Sequence, residues 1–342
     1  MKKYLLTGHA GFLGRWVCKY LLEKGDSVVG VDTFEGGHEN NVRELITQYP
    51  NTFVSLKVIA TTREHKLQCY EKLFETDKYE EVIHLGAFAS EGLSPFIRSF
   101  IYENNVIDSS IIINECIKHK CKLTYASSIA TYGHGRSTPF KETDTPMPID
   151  PYGIAKYVIE LDIQAAHHTH GLQYKIFRPH NIIATYQNLN DPVRNVLGIF
   201  IKKALFEKKP FPIFGDGLQK RQFSYGNQVA KDIIDERLPW NEVYNVGGNI
   251  STTVLDLAKL VAKAAKVEFK IEQLPERIEA KIAEADHSKI EKYRGKVKEP
   301  KLESIVKEVV EYAEQTQDWT IRKLPKVEVW EGLPESWKKY LV

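Results

Sequence analysis

Thr7-Gly8-His9-Ala10-Gly11-Phe12-Leu13-Gly14 is the stretch that decides the fold. It follows the short apolar run Leu5–Thr7, which reads as a buried strand. It opens the pattern Phe12–Lys24, which reads as a helix ended near Gly25. Glycines at positions 8, 11 and 14 let a backbone turn tightly and lie against a pyrophosphate. The N-terminus of the following helix adds free N–H groups and the positive end of its dipole. Gly8, Gly11, Phe12, Leu13 and Gly14 are therefore candidate cofactor-binding residues. Alone, such a string reads equally as a plain turn. Asp32 adds the context, ending a second strand pattern, Ser27–Asp32, 18 residues after Gly14. A carboxylate there accepts hydrogen bonds from a ribose 2′-hydroxyl and repels a 2′-phosphate, so NAD is expected in preference to NADP.

Further apolar runs at Phe53–Ile59, Glu81–Leu85, Lys122–Ala126 and Tyr174–Arg178 read as strands, with helical stretches between them. Two long helices are predicted, over roughly Pro95–His119 and Tyr152–His170, the second capped by Gly171. This alternation predicts an α/β fold, a doubly wound parallel sheet of the Rossmann type, with ligands along the strands' C-terminal edge. Beyond Pro179 the pattern is less regular, and Phe211–Gly217 reads as loop. The expected division is a Rossmann domain over residues 1–180 and a smaller mixed α/β C-terminal lobe over 181–342 that takes the substrate. Residues 224–250 are expected to return to the first domain, Ser224–Val246 reaching its sheet.

Composition sets the class. Of 342 residues 42% are hydrophobic and 27% charged, ordinary for a globular protein. With 47 basic and 45 acidic residues, a net charge of +2 gives no reason to expect nucleic acid or a membrane as partner. Cys18, Cys69, Cys116 and Cys121 fit neither a zinc pattern nor a small disulfide framework, which points to reduced thiols. The N-terminal apolar run is too short for a signal sequence and no run reaches membrane length, so the cytoplasm is the expected location. His167, His168 and His170 lack a carboxylate or cysteine at ligand spacing. They read as a solvated helix end, and no metal is expected.

The chemistry is expected at Tyr152-Gly-Ile-Ala-Lys156, where an i, i+4 spacing puts Tyr152 and Lys156 on one helix face. An unperturbed phenol titrates near about 10. A lysine ammonium and a nicotinamide cation would lower that value, letting Tyr152 take a proton from a substrate hydroxyl as hydride leaves its carbon. Tyr125-Ala-Ser127-Ser128 ends a predicted strand, and a hydroxyl emerging there could bond the same substrate oxygen. Ser128 is the candidate, with Ser127 as a neighbour that also contacts substrate or cofactor.

Thr7–Gly14, His84-Leu-Gly-Ala87, Ala126–Gly133, Tyr152–Lys156, Phe177-Arg-Pro-His-Asn181, Ile213–Gly217, Arg221-Gln-Phe223 and Tyr244-Asn-Val-Gly247 occur in order. On these motifs, nearly the whole chain resembles the nucleotide-sugar epimerase/dehydratase family of extended short-chain dehydrogenases. Within it the chain is most similar to the UDP-glucose 4-epimerases. The resemblance implies Tyr152 as base, Lys156 as its partner and Ser128 as the hydroxyl. It implies cofactor contacts from Leu85, Ala87, Tyr152, Lys156, Phe177 and His180. It further implies substrate contacts from Ser127, Ser128 and Asn181, and diphosphate contacts from Arg221 and Arg277, since a guanidinium fork binds phosphate bidentately. Lys57-Val-Ile-Ala60 departs from the family, which often has an acidic residue there for adenine. Ser224-Tyr-Gly-Asn227 departs too, at a position read as structural.

In the dehydratases of that family an Asp-Glu pair follows the catalytic hydroxyl. Here the positions hold Ile129 and Ala130, which transfer no protons. Epimerisation at C4 needs only hydride removal, rotation of the keto-sugar and hydride return, so a UDP-glucose/UDP-galactose 4-epimerase retaining its NAD is the expected function. The alternatives are a uronate or GDP-sugar epimerase, a dehydrogenase with exchanging NAD, and a non-catalytic NAD-binding regulator. Apolar residues on a second face of the long helices, Ile111, Ile112, Val158 and Leu161, together with the resemblance, lead to the expectation of a homodimer.

Overall fold

A computed structural model describes residues 1–58, 62–133, 138–276, 282–316 and 324–341. The chain's strands are β1 (Lys3–Thr7), β2 (Ser27–Asp32), β3 (Phe53–Lys57), β4 (Glu81–His84), β5 (Lys122–Ala126), β6 (Tyr174–Pro179), β7 (Ile182–Ile183), β8 (Phe211–Phe214), β9 (Lys220–Tyr225), β10 (Glu242–Val246), β11 (Ile250–Thr253), β12 (Ile271–Leu274) and β13 (Ile282–Ala283). Seven of them form one parallel sheet in the order β10-β6-β5-β4-β1-β2-β3. Successive side chains of a strand point to opposite faces, and here helices cover both faces. Leu5, Val82 and Ile176 pack on one face, under the helices Asp108–His119 and Pro151–His170. Leu6, Ile83 and Phe177 pack on the other, with Trp16 and Val17 of the helix Phe12–Glu23.

The strand order reverses between β1 and β4, which opens the crevice where such sheets bind ligands. The second lobe holds a small mixed sheet, in which β9 pairs antiparallel with β11 and parallel with β13 and β7, and a β8–β12 pair. Its core gathers Phe200, Phe211, Leu257, Val261 and Val306. After β9 the chain returns to the large sheet. The helix Gly226–Ile233 contributes Val229, Ala230 and Ile233 to the core beside the Phe12–Glu23 helix, and β10 adds itself beyond β6. Ser224 and Tyr225 belong to β9, and Ile250 to β11, so the large sheet receives only the middle of that stretch.

Three local expectations need correction. Pro95–His119 is not one helix. A 3-10 turn covers Ser94–Phe96, Ile97 leaves helical geometry (φ −139°, ψ 44°), and a helix runs from Arg98 with a π-helical stretch at Tyr102–Ile107. The break has a partner elsewhere in the chain: the Phe96 carbonyl accepts from the Glu328 N–H at 2.8 Å. The Glu328 carboxylate accepts from the N–H groups of Ser99 (2.8 Å) and Phe100 (3.0 Å), capping the new helix start. Phe211–Gly217, read as loop, contains β8. Ile111 and Ile112 are buried, at 3% and 0% exposure, Ile112 in the core against the sheet, while Val158 and Leu161 are exposed at 41% and 47%. No helix among the described residues is long and apolar enough to cross a membrane.

Candidate active site

A cleft of about 1340 Å³ runs over the C-terminal ends of β1, β4 and β5 and into the second lobe. That exceeds the roughly 300–1,000 Å³ usual for one drug-sized ligand, as two molecules bound side by side require. At one end lies the turn after β1. A Cβ on Gly14 would stand 2.1 Å from the Gly8 carbonyl oxygen, so only glycine lets helix and turn approach this closely. The Gly8 N–H is tied to the Val31 carbonyl at 2.9 Å, which registers the turn against the end of β2. There Asp32 accepts from the N–H groups of Ala10 (3.0 Å) and Phe34 (2.8 Å). A carboxylate has about four acceptor positions, so two remain for a ligand hydroxyl.

The side of the cleft that carries Tyr152 and Lys156 is built by the helix Pro151–His170. Proline begins it, and the Asp150 carboxylate caps it by accepting from the Gly153 N–H at 2.9 Å. Gly153 allows the helix to lie against the chain after β5, since a Cβ there would sit 2.6 Å from the Ala130 oxygen. This contact brings Tyr152 beside Ser128, whose hydroxyl favours the phenolate and accepts from the Ala130 N–H at 3.2 Å. One turn on, Lys156 Nζ donates to the Ala126 carbonyl at 2.6 Å and stands 4.8 Å from the Tyr125 ring centre.

Electrostatics here differ from the sequence expectation. Burial pushes the Tyr152 phenol above its ordinary value; the Ser128 bond lowers it, Glu91 and Asp150 raise it, and the Arg194 cation lowers it. Burial also brings the Lys156 ammonium down to about 7, with Glu160 pulling the other way. In the protein alone desolvation therefore outweighs the lysine's help to the phenolate, and Lys156 titrates near neutrality. His84 lines the cleft between Thr7 (2.6 Å) and Ser109 (2.8 Å), and burial and Lys156 push it down to about 3, so it is a neutral structural link.

A buried network stands behind this face. Ser127 donates to Glu160, which also receives Arg178 through Nη2 (2.5 Å) and Nε (3.0 Å). The Arg178 guanidinium lies 4.7 Å from the Tyr132 ring centre, and Tyr132 donates to Asn245 at 2.8 Å. Ser127 touches the cleft but is held by Glu160.

Of the residues singled out above, Gly8, Gly11, Phe12, Leu13, Gly14, Asp32, Leu85, Ala87, Ser127, Ser128, Tyr152, Lys156, Asn181 and Arg221 line this one cleft. Phe177 and His180 do not. Phe177 is fully buried and stacks on Tyr244 at 5.7 Å, because strand alternation turns it under the sheet. His180 is buried against His287 (2.9 Å) and Ser224 (3.0 Å), and Pro179 takes the cleft position in that segment. Arg277 lies outside the described residues, as do Ile59 and Ala60 of the divergent Lys57–Ala60 stretch.

Sequence reasoning missed others. Near Asp32 the cleft is lined by Tyr70 and by the ion pair of Lys66 with Asp108, both distances 2.8 Å. The Tyr70 phenol feels both Asp108 and Asp32, which locates the pair at that end. Near Tyr152 stands Arg194, bonded to Asp191 (2.5 Å) and the Ala89 carbonyl (2.8 Å). These residues come from helices and loops far apart in sequence and carry no local signal. Among the described residues no group of three or more His, Cys, Asp or Glu could hold a metal ion.

Comparison with known proteins agrees with this geometry. A model of the NAD dependent epimerase/dehydratase family matches residues 4–247. The chain is 29% identical to a UDP-glucuronate 4-epimerase of Thermodesulfobacterium geofontis, over 92% of this chain and 97% of that protein. It superposes on the UDP-glucose 4-epimerase of Thermotoga maritima, solved with UDP-glucose, with a TM-score of 0.82 at 28% identity, over 92% of this chain and 100% of that one. For the UDP-glucuronic acid 4-epimerase of Bacillus cereus, solved with UDP-glucuronic acid and NAD, the TM-score is 0.80 at 25% identity, over 92% and 99%.

Proposed function

This chain belongs to the NAD dependent epimerase/dehydratase family, and from that premise we propose that it is an NAD-using nucleotide-sugar 4-epimerase with UDP-glucose and UDP-galactose as the leading pair. One observation carries the reading. Tyr152, Ser128 and Lys156 meet in the same cleft as the glycine turn and Asp32, while Ile129 and Ala130, directly after Ser128, supply no acid–base pair for eliminating water.

In this reading the Gly8–Gly14 turn and helix N-terminus hold the NAD pyrophosphate, and Asp32 takes the ribose hydroxyls. Bound NAD supplies the acceptor for hydride from the sugar C4 and the donor for its return. Tyr152 takes the C4 hydroxyl proton and later gives it back, Ser128 holds the same oxygen, and Lys156, when charged, favours the phenolate. Arg221 and Asn181 hold the diphosphate and sugar. Between the two transfers the keto-sugar turns its other face, and every proton and hydride removed is returned. Residues 1–180 with 224–250 would carry NAD, and the 181–342 lobe the nucleotide sugar. The exposed Val158 and Leu161, on the helix that carries Tyr152, are the surface through which we propose a homodimer.

A uronate is the second reading, because the Arg194 cation stands on the Tyr152 side of the cleft, where it could meet a sugar carboxylate.

The test is proton NMR of the purified protein with UDP-galactose and, separately, UDP-galacturonate, without added NAD, alongside absorbance at 340 nm. Appearance of the C4 epimer with flat absorbance is the expected result, and the sugar that converts decides between the two readings. No conversion of either by a protein that carries NAD would overturn both.

A further inference from the structure

The family match ends at residue 247. The described C-terminal segment, Leu324–Leu341, lies beyond that match and folds back onto the cleft. Its anchor is the Glu328 contact at the helix break before Arg98: the Glu328 N–H donates to the Phe96 carbonyl, and the Glu328 carboxylate accepts from the N–H groups of Ser99 and Phe100. Beyond it, Leu333, Trp337 and Leu341 enter an apolar cluster with Phe88, Leu93, Ala155 and Val193.

Trp337 is 5% exposed and lines the cleft, and a Cβ placed on Gly92 would lie 3.2 Å from the indole edge. Ala155 lies between Tyr152 and Lys156 on their helix. Gly92, against the indole edge, follows Glu91, whose charge acts on the Tyr152 phenol, so the indole belongs to the Tyr152 end of the cleft. An indole is a large, rigid, amphipathic surface. The C–H face of a pyranose is suited to pack against such a ring.

We infer that Trp337, held in place by the C-terminal segment, is a specificity-determining wall of the sugar subsite, one that selects among pyranoses by their ring substituents. The inference rests on the nucleotide-sugar reading above. Trp337 transfers no proton. It limits the space in which the sugar sits and turns, so its effect falls on sugars and not on the nucleotide.

The experiment is calorimetric titration of the full-length, NAD-loaded protein with UDP, UDP-glucose, UDP-N-acetylglucosamine and UDP-glucuronate. For Trp337→Ala the expected result is UDP affinity within about twofold of the parent. At least one UDP-sugar should change by about tenfold, with unequal factors among the three, since pocket contacts of this size discriminate by 10–200-fold. Trp337→Phe, which keeps a ring face, should return most of the parent's preference. Gly92→Ala pushes on the indole without removing it and should also alter the ratios among sugars while leaving UDP affinity within about twofold of the parent. It decides the matter should Trp337→Ala not fold. Sugar-to-UDP ratios unchanged, or all four affinities moving by one common factor, would overturn the inference alone. A parent protein that binds neither UDP nor any UDP-sugar would overturn the nucleotide-sugar reading, and the inference with it.

Discussion

Glu160 and Arg178 form an ion pair in which both side chains are almost fully buried, at 0% and 4% exposure, with Nη2 to Oε2 2.5 Å. Tyr152, Lys156 and Glu160 follow at four-residue steps on one helix face, so the pair is the floor on which the proton-handling residues stand. Removing one partner of a buried pair leaves the other charge without compensation. Glu160→Ala is expected to cost about 3–5 kcal/mol of stability in a denaturant titration. Glu160→Gln should cost less, since its amide still offers Ser127 an acceptor. A loss below about 1 kcal/mol for Glu160→Ala would mean that water reaches Arg178, contrary to the packing seen.

Tyr152→Phe removes the proposed proton acceptor while keeping the ring. Epimerisation followed by NMR is expected to fall by roughly 10²–10⁴-fold, the span of general acid–base contributions. Bound NAD, measured by absorbance after denaturation, should stay at the parent level. A variant that still turns over within tenfold of the parent would remove Tyr152 from its assigned role.

Lys156 has a pH signature. Its pKa in the folded protein is about 7, below the 10.5 it starts from, because burial penalises the ammonium. Between these values the unfolded chain binds the extra proton and the folded one does not, so this group's contribution to stability rises with pH across that interval. Below pH 7 the folded protein carries a buried charge and the penalty is complete. Lys156→Met is therefore expected to melt several degrees above the parent at pH 6, with the gain shrinking towards pH 10. It should lose activity at every pH. An advantage that grows with pH would contradict the depressed value.

Asp32→Ser removes the carboxylate proposed to take the ribose hydroxyls. Like charges brought together cost several kcal/mol, so the discrimination against NADP should relax by at least about tenfold, read as the ratio of NAD to NADP affinities by fluorescence quenching. The same change releases the Ala10 and Phe34 N–H groups, so some loss of NAD affinity should accompany it. A ratio that does not move would place the ribose elsewhere.

Gly14→Ala forces a Cβ to within 2.1 Å of the Gly8 oxygen, a backbone atom with nowhere to go. Overpacking costs typically about 1–3 kcal/mol and more against rigid backbone, so the purified variant should be less stable and depleted in NAD. Full NAD content and parent stability would show the turn to be looser than drawn.

Most of the architecture is legible in the sequence, because its signals are local. Six apolar runs of strand length were found within a residue or two of their ends, and Ser27–Asp32 and Lys122–Ala126 matched residue for residue. Gly171 ends the helix of Tyr152 in a left-handed conformation, as its residue type predicts, while the Asp150 cap at the other end is seen in the structure. The misses were non-local. Pro95–His119 has a continuous helical pattern, yet Glu328 competes for its backbone and breaks it. Phe177 and His180 sit in a motif whose neighbours reach the cleft, yet strand alternation and His287 turn them away.

The sequence by itself determined that the chain would wind into a parallel sheet with a glycine turn and a carboxylate at one edge, since periodicity and glycine placement act over a few residues. It also placed Tyr152 and Lys156 on one face, because a helix repeats every 3.6 residues. Only the tertiary structure decided which charges surround that face, that burial raises the phenol and brings the lysine near neutrality, and that Arg194 and Trp337 join it. Those outcomes depend on distance and desolvation between segments far apart in the chain, and neither quantity is written in local sequence.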